Sequence, residues 1–232
     1  MSAADKDGGP ILDTDGGPGL DKDGESELRG LASPKTRERR LLSPSIGTVD
    51  SLANHLLVAM PSLTEGIFAQ TVVLICEHSQ QNALGIVLNK PLGMKLGDVM
   101  AQMKLEPTDI RIGEQPVLQG GPMNRDRGFV LHRPGGSWDS THRVSHNVQV
   151  TTSRDVLAAI ARGEGPQDAF VALGYAGWDA GQLEREMLDN AWLTLPMDEH
   201  IVFDLPFEER WQAAWQLLGV DSSRVSLTAG HA

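Results

Sequence analysis

Cysteine is nearly absent from this chain of 232 residues, which contains only Cys76. One thiol can form neither an internal disulfide nor a cysteine-built zinc site, and the seven histidines show no spacing typical of a helical zinc motif. We therefore expect a reducing, cytoplasmic setting, no metal and no other cofactor.

Long apolar runs are also missing. The run that starts at Leu56 ends at Pro61, well short of the length that crosses a bilayer. The first residues, MSAADKDGG, are acidic and rich in glycine, whereas a secretory signal has basic residues followed by a continuous apolar segment. The sequence thus predicts a protein without membrane contact.

Basic residues are in the minority, and the formal net charge at pH 7 is -11. Such a chain repels nucleic acid and anionic membranes at long range. Nucleic-acid binding is therefore not expected unless a local basic patch supplies the contact.

An acidic repeat and a basic stretch precede the apolar part of the chain. Residues 5–28 read DKDGGPIL, DTDGGPGL and DKDGESEL, too poor in apolar groups to offset the entropy of ordering. Calcium binding is the alternative, although the period of eight and the missing glutamate disagree with known calcium loops. Residues 29–45 hold five basic residues and one acidic, which indicates a linker or a docking patch. We predict a disordered extension over residues 1–45 and one globular domain over residues 46–232.

The globular part alternates strands and helices without a regular rhythm. Short apolar runs predict strands, and apolar spacing of three and four predicts helices. The predicted strands are 56–60, 72–76, 84–88, 116–119, 128–132, 146–151 and 170–173, and the predicted helices are 95–103, 154–162, 182–190 and 208–218. This pattern favours an α+β fold with a mixed sheet over a doubly wound one.

Several strings resemble one bacterial family in their order along the chain. They are LLVAMPSL, ICEHS, GIVLNKPL, LQGGPMNRDRGFVLH, TTSRDVL, LGYAGWDAGQLEREMLDNAWL and GHA, and together they resemble the YqgE/AlgH family, also called UPF0301 or DUF179. The resemblance runs from about Ser51 to Ala232. It implies a single α+β domain whose split, mixed sheet packs around a helix. It implies no particular activity, since the family has no settled biochemical function and takes its name from a proposed role in gene regulation.

One triplet combines a thiol, a carboxylate and an imidazole in consecutive positions, Cys76, Glu77 and His78. If they continue a strand, Cys76 and His78 point to one face and Glu77 to the other, so the three cannot converge as a triad. We interpret Cys76 as a small buried residue at the end of a core strand. The alternative is a catalytic thiol that works with His78 or His132.

Two glycine-containing segments are candidate ligand-binding loops. Backbone N–H groups at Gly120 and Gly121 could form an anion-binding turn, with Arg125 and Arg127 adding positive charge. The alternative is a tight turn whose charged side chains face water.

The second candidate loop is GYAGW. Its central Ala176 excludes a serine nucleophile. Gly174, Tyr175 and Gly177 remain candidates for a backbone loop that approaches an anion beside a helix start, and packing of the aromatic residues is the alternative.

These observations favour a non-enzymatic cytoplasmic protein that binds a small anionic ligand or a protein partner and acts in regulation. The alternative is a Cys76-dependent enzyme of acyl or phosphoryl transfer. A third hypothesis, transcriptional regulation, requires a DNA contact from the basic residues 35–40.

Overall fold

The computed structural model describes residues 51–219, all of which lie within one compact unit. This range contains ten strands, five α-helices and one π-helix. The strands are β1 (His55–Ala59), β2 (Val72–His78), β3 (Asn82–Val87), β4 (Pro91–Lys95), β5 (Pro116–Gln119), β6 (Met123–His132), β7 (Thr141–Arg143), β8 (Gln149–Thr151), β9 (Phe170–Asp179) and β10 (Trp192–Pro196). The helices are α1 (Leu96–Gln102), α2 (Ile110–Gly113), α3 (Arg154–Ala161), α4 (Gln182–Leu188), the π-helix π1 (His200–Asp204) and α5 (Arg210–Leu217). The predicted extension of residues 1–45 lies outside the described range.

Strand β9 divides one mixed sheet into two halves. The strand order is β10-β1-β2-β3-β9-β6-β8-β7, with all of these neighbours antiparallel. The first half of β9 pairs with β6 on one side and, in parallel, with β5 on the other, while its second half pairs with β3. The predicted α+β class with a split, mixed sheet is confirmed.

The sheet curls around α5 and π1. The central core contains residues from both halves of the sheet together with Ile201 and Val202 of π1 and Trp215 of α5, each at most 1% exposed. Burial of so much apolar surface is the main favourable contribution to the stability of such a fold. The predicted packing of the sheet around a helix is thereby confirmed.

Two further cores cover the outer face of the sheet. The α4 core joins Leu57 and Val73 to Trp178, Leu183 and Trp192. Strands β1 and β2 are thus covered on both faces, which is why their sequences read as unbroken apolar runs instead of alternating with polar residues.

The third core, which we call the α1/α3 core, packs helices α1 and α3 on strands β6 and β9. Its buried members include Leu96 and Met100 of α1, Val156 of α3, Val130 of β6 and Val171 of β9. Because these helices are short and leave part of the sheet uncovered, a cavity remains between them.

The predicted strands and helices are all present, with boundaries shifted by a few residues. The sequence did not indicate β4, β7, β10, α2 or π1. All five have five residues or fewer, which leaves little room for apolar periodicity, and β10 is recognised as a strand only by its pairing with β1.

Candidate functional site

Cys76 is the extra residue of a β-bulge in β2. Beyond it the pairing with β3 shifts by one residue, so that Glu77 lies opposite Leu84 and His78 opposite Ala83. Leu84 packs against the central core, as Cys76 does, whereas Ala83 belongs to the α4 core on the other face. Cys76 and Glu77 therefore point to one face and His78 to the other. The prediction that Cys76 and His78 share a face is wrong, because a bulge interrupts the regular alternation of side chains.

The Cys76 thiol is 3% exposed and donates a weak hydrogen bond to Leu74 O over 3.7 Å. Burial, with a smaller contribution from the charge of Glu77, raises the pKa of the thiol far above its ordinary value. A nucleophilic thiol needs the opposite conditions, a lowered pKa and access to substrate. Both observations count against catalysis by Cys76.

Both ring nitrogens of His78 are already engaged. Nδ1 accepts a hydrogen bond from Leu52 N at 3.0 Å, so the proton is on Nε2, which lies 2.9 Å from Glu184 Oε1. Ser51 Oγ donates to the backbone oxygen of the same histidine at 3.0 Å. His78 thus fixes the start of the described chain against α4 and has no free nitrogen to act as a base.

His132 is completely buried and forms part of a hydrogen-bonded chain. Its Nδ1 lies 2.7 Å from Arg133 O, which can only accept, so this nitrogen carries the proton. Nε2 then accepts from the Thr151 hydroxyl at 2.8 Å, and Thr151 accepts from Thr141 at 2.8 Å. The chain joins β6, β8 and β7.

The buried neutral His132 makes folding sensitive to acid. Burial lowers its pKa below the ordinary 6.5, and the bond to Arg133 O offsets this only in part. Below pH 6.5 the imidazole of His132 therefore binds a proton in the unfolded chain, whereas in the folded protein it stays neutral to a lower pH. We expect the free energy of unfolding to fall as the pH drops below 6.5, by up to about 1.4 kcal/mol per pH unit from this residue.

Urea unfolding between pH 8 and pH 5 measures this effect. His132→Gln should show a shallower pH dependence than the wild type, and His146→Gln, which replaces an exposed histidine, should keep the wild-type slope. An unchanged slope in His132→Gln would contradict the expectation.

The predicted glycine turn is a close crossing of strands. A methyl group built on Gly120 would lie 2.3 Å from Gly174 O, and one on Gly121 would lie 2.0 Å from the carbonyl carbon of Tyr175. Gly120 also donates its N–H to Leu173 O at 2.8 Å, so this donor is not available to an anion. Gly120 and Gly121 allow β5 and β9 to meet backbone to backbone, which is a packing role.

GYAGW was predicted from its glycines to be a loop beside a helix start. It is part of a strand instead. It continues β9, which ends only at Asp179. A methyl group on Gly174 would lie 2.7 Å from Gly121 O, and one on Gly177 would lie 2.7 Å from Met123 Sδ. Tyr175 packs edge to face on Phe129, with ring centroids 5.8 Å apart. These residues join strands and do not form a ligand loop.

The charged half of the predicted turn forms a wide bulge in β6. Met123 pairs with Tyr175 and Gly128 with Leu173, so the four residues 124–127 lie opposite Gly174 alone. Asn124 and Gly174 take left-handed φ angles of 44° and 75°, which Asn and Gly tolerate best. We call residues 124–127 the β6 bulge.

The β6 bulge separates the two predicted arginines. The Arg127 guanidinium lies over the Phe129 ring, 5.4 Å from its centroid. Arg125 instead lines a cavity of about 500 Å³ between the sheet and helices α1 and α3. Of the predicted site residues, this cavity is lined by Arg125 and by none of the others.

The cavity has an apolar floor and a polar mouth. Its apolar lining comes from the α1 end, α3, β6 and β9, and includes Val99, Met103, Val130, Leu157, Val171 and Leu173. Its polar lining comes from the β6 bulge, from Gln102 at the end of α1 and from the segment that enters α3, and includes Arg125, Asp126, Thr152, Ser153 and Arg154. An apolar cavity with a few polar groups is typical of small-molecule sites.

Arg125 is the free cation of this mouth. Within residues 51–219 its side chain has no ion pair or hydrogen bond, whereas Arg154 donates to Met103 O at 2.8 Å and so bridges α3 to α1. Asp155 accepts from Val156 N at 2.9 Å and occupies the start of α3. An anion in the cavity would therefore be held by Arg125 and not by the helix end.

The sequence did not reveal the cavity as a whole. Its lining includes Thr152 and Ser153, whose hydroxyls lie where helix caps are common, and Met94 and Met103, whose side chains are typical of cores. Ser153 does precede α3, although its hydroxyl bonds to Asp155 and not to the helix backbone. The one stretch of sequence that could have indicated the cavity is TTSRDVL, because residues from its polar start and its apolar end both line it.

Other site classes have little support in the described range. No group of three or more His, Cys, Asp or Glu side chains within residues 51–219 is arranged to hold a metal ion. No helix over the same range combines the length and the apolar character needed to span a membrane.

The fold is that of a mixed α+β protein. Its split sheet curls around α5, and a cavity lies between the sheet and two outer helices. The model of the AlgH-like family, DUF179, matches residues 56–223. The chain belongs to this family, as its motifs indicated.

Individual relatives support the assignment over nearly their whole length. The chain is 55% identical to a UPF0301 protein of Thioalkalivibrio sulfidiphilus over 78% of this chain and 97% of the relative. It is 50% identical to a UPF0301 protein of Nitrosococcus oceani over 77% and 96%.

Two solved structures show the fold. The solution structure of the AlgH protein from Pseudomonas aeruginosa matches with a TM-score of 0.66 and 48% identity, over 80% of this chain and 98% of that one. A crystal structure of a Corynebacterium diphtheriae protein matches with a TM-score of 0.58 over 72% and 87%, and at 20% identity it is similar in fold alone.

Proposed function

We propose that this protein binds a small anionic molecule in the cavity between α1, α3 and the sheet, without catalysing a reaction, and that it acts in regulation. The observation that carries the proposal is Arg125, which has no partner among residues 51–219 and lies at the mouth of an apolar cavity of about 500 Å³. Arginine forms charge-assisted, often bidentate bonds to carboxylates and phosphates. A cytoplasmic location is part of the proposal and is supported by the single cysteine.

The charges at the mouth favour an anion. Two arginines, Arg125 and Arg154, line it together with one carboxylate, Asp126. On a chain with a net charge of -11, a locally positive mouth is a departure from the average surface. Such a local excess attracts anions over a distance of about 10 Å at ordinary ionic strength.

The non-catalytic part of the proposal follows from the candidate nucleophile and bases. Cys76 is buried with a raised pKa, and both ring nitrogens of His78 and of His132 are engaged. A Cys76-dependent acyl or phosphoryl transferase remains the alternative, and a turnover lost in Cys76→Ser would favour it. A protein partner remains an alternative occupant, and the DNA contact predicted for residues 35–40 lies outside the described residues.

Isothermal titration calorimetry with inorganic phosphate, acetate and hexanoate tests the proposal. We expect the wild type to bind at least one of these anions and Arg125→Gln to bind it about 10- to 100-fold more weakly, as the loss of a charge-assisted bond predicts. The matched control is Arg127→Gln, which removes an arginine two residues away that does not line the cavity. Asp126→Asn should tighten binding.

Two outcomes would contradict the proposal. In one, the wild type binds none of the three anions. In the other, Arg125→Gln and Arg127→Gln weaken binding equally, which would indicate a general effect of charge and not a site at Arg125.

A further inference from the structure

We infer that the ligand is amphipathic, with an anionic head at Arg125 and an apolar chain that enters the cavity. This inference rests on the proposed function and adds the class of ligand. It follows from how burial, side-chain chemistry and backbone shape are distributed along the cavity wall.

Burial of the lining residues increases from the mouth to the floor. Arg125 and Asp126 are exposed, Thr152 is half-buried, and Val130 and Val171 are buried. Charged groups therefore lie where a ligand enters, and aliphatic groups lie where it ends. A ligand that is polar throughout would leave its inner groups without partners, at a cost that binding could not recover.

The buried threonine of the inner wall offers no free donor to a second polar group. Thr151 is buried, and its hydroxyl already donates to His132 and accepts from Thr141. The floor is otherwise made by Val130, Val171 and other aliphatic side chains of β6, β9 and α3. The inner part of the ligand must therefore be apolar.

Gly128 keeps the cavity open beside this floor. A methyl group built on it would meet only Leu173 Cδ2, at 4.0 Å, so the position has room for a side chain. It lies directly after the β6 bulge, in the register that places Val130 in the α1/α3 core. A larger side chain at this position would project into the space that an apolar chain needs.

A homologous series of carboxylates tests the inference by calorimetry. With acetate, butyrate, hexanoate and octanoate, affinity for the wild type should rise about fourfold per added methylene, as burial of a methylene group predicts, until the cavity is filled. Gly128→Val should lose most of the gain in affinity from acetate to hexanoate and octanoate. A parallel series of alkyl phosphates shows whether the head is a carboxylate or a phosphate.

The controls separate failure of the inference from failure of the proposed function. Equal affinity for acetate and octanoate would overturn the inference and leave anion binding intact. A full chain-length gain in Gly128→Val would also overturn it, since the chain would then lie outside the cavity. If no carboxylate or phosphate binds to the wild type, both fail. Gly128→Ala, which adds one methyl group, should give an intermediate result and serves if Gly128→Val does not fold.

Discussion

Gly121→Ala is expected to unfold the protein or to lower the free energy of unfolding by more than about 4 kcal/mol, a loss that few single substitutions cause. The added methyl group would lie 2.0 Å from the carbonyl carbon of Tyr175, 2.2 Å from its oxygen and 2.3 Å from Ala176 N. These are backbone atoms of β9, which pairs with β3, β5 and β6 and cannot move alone. Overpacking against rigid backbone has no cheap relaxation.

Gly93→Ala is the matched control. Gly93 lies in β4, which pairs with β5 as well, and nothing lies within 4 Å of a methyl group at this position. Its variant should stay within about 0.5 kcal/mol of the wild type in urea unfolding, as most surface substitutions do. If Gly121→Ala folded normally and lost only anion binding, Gly121 would be a ligand residue and the packing role would be wrong.

Arg210→Ala is the second substitution with a large expected effect, a loss of about 3 to 5 kcal/mol. Arg210 begins α5, is 2% exposed and has no carboxylate partner within residues 51–219. It donates to Leu88 O at 2.8 Å and to Leu205 O at 3.2 Å. Its guanidinium also lies 4.4 Å from the ring centroid of Phe207 and 5.1 Å from that of Phe170.

The expected loss combines these contacts. Alanine leaves the buried Leu88 carbonyl and the partly buried Leu205 carbonyl without this donor, at up to about 1 to 3 kcal/mol each, and removes two cation–π contacts of about 0.5 to 2 kcal/mol. Burial of the charge opposes them, since it lowers the pKa of Arg210 to about 10. Arg210→Met keeps most of the volume and removes the buried charge, so it should cost less than Arg210→Ala.

Urea unfolding of both variants, with Arg162→Ala beside them, measures the effect. Arg162 is exposed and pairs with Glu164 at 2.8 Å, a surface ion pair whose removal should cost less than about 1 kcal/mol. A loss in Arg210→Ala no larger than that in Arg162→Ala would show that the cost of burying the charge cancels its contacts.

The sequence predicted the elements that depend on local pattern. LLVAM and VVLIC are strands because both sides of the sheet are covered, and α1, α3, α4 and α5 follow from apolar spacing. Element order and the irregular rhythm then sufficed for the fold class. These features are short-range, so one chain contains the information for them.

The features that the sequence could not predict depend on contacts between distant segments. The bulge at Cys76 changes which face Glu77 and His78 occupy, and only the pairing with β3 reveals it. Gly120 and Gly174 are typical of turns, yet here they allow three strands to meet. Where a glycine is needed because another backbone passes close to it, the local sequence pattern favours a turn, which is the wrong structure.

The cavity was not predicted, although one of its lining residues, Arg125, was predicted as part of an anion-binding turn. Its floor consists of residues such as Val130, Leu157 and Val171, which were indistinguishable from ordinary core. Whether an aliphatic side chain fills a core or borders an empty volume depends on how far α1 and α3 extend over the sheet. The hydrophobic pattern of the sequence does not indicate how far the two helices extend over the sheet.

The β6 bulge contributes to the mouth of the cavity without taking part in the pairing of the sheet. Its four residues lie opposite one residue of β9, and the ladder resumes at Gly128 and Leu173 in a register that the bulge does not set. Substitutions, or an added residue, within 124–127 would alter the mouth of the cavity and leave the pairing of the sheet unchanged. Evolution can therefore exchange the recognised head group on a constant scaffold, and a laboratory selection aimed at new specificity should first randomise positions 125 and 126, which line the cavity.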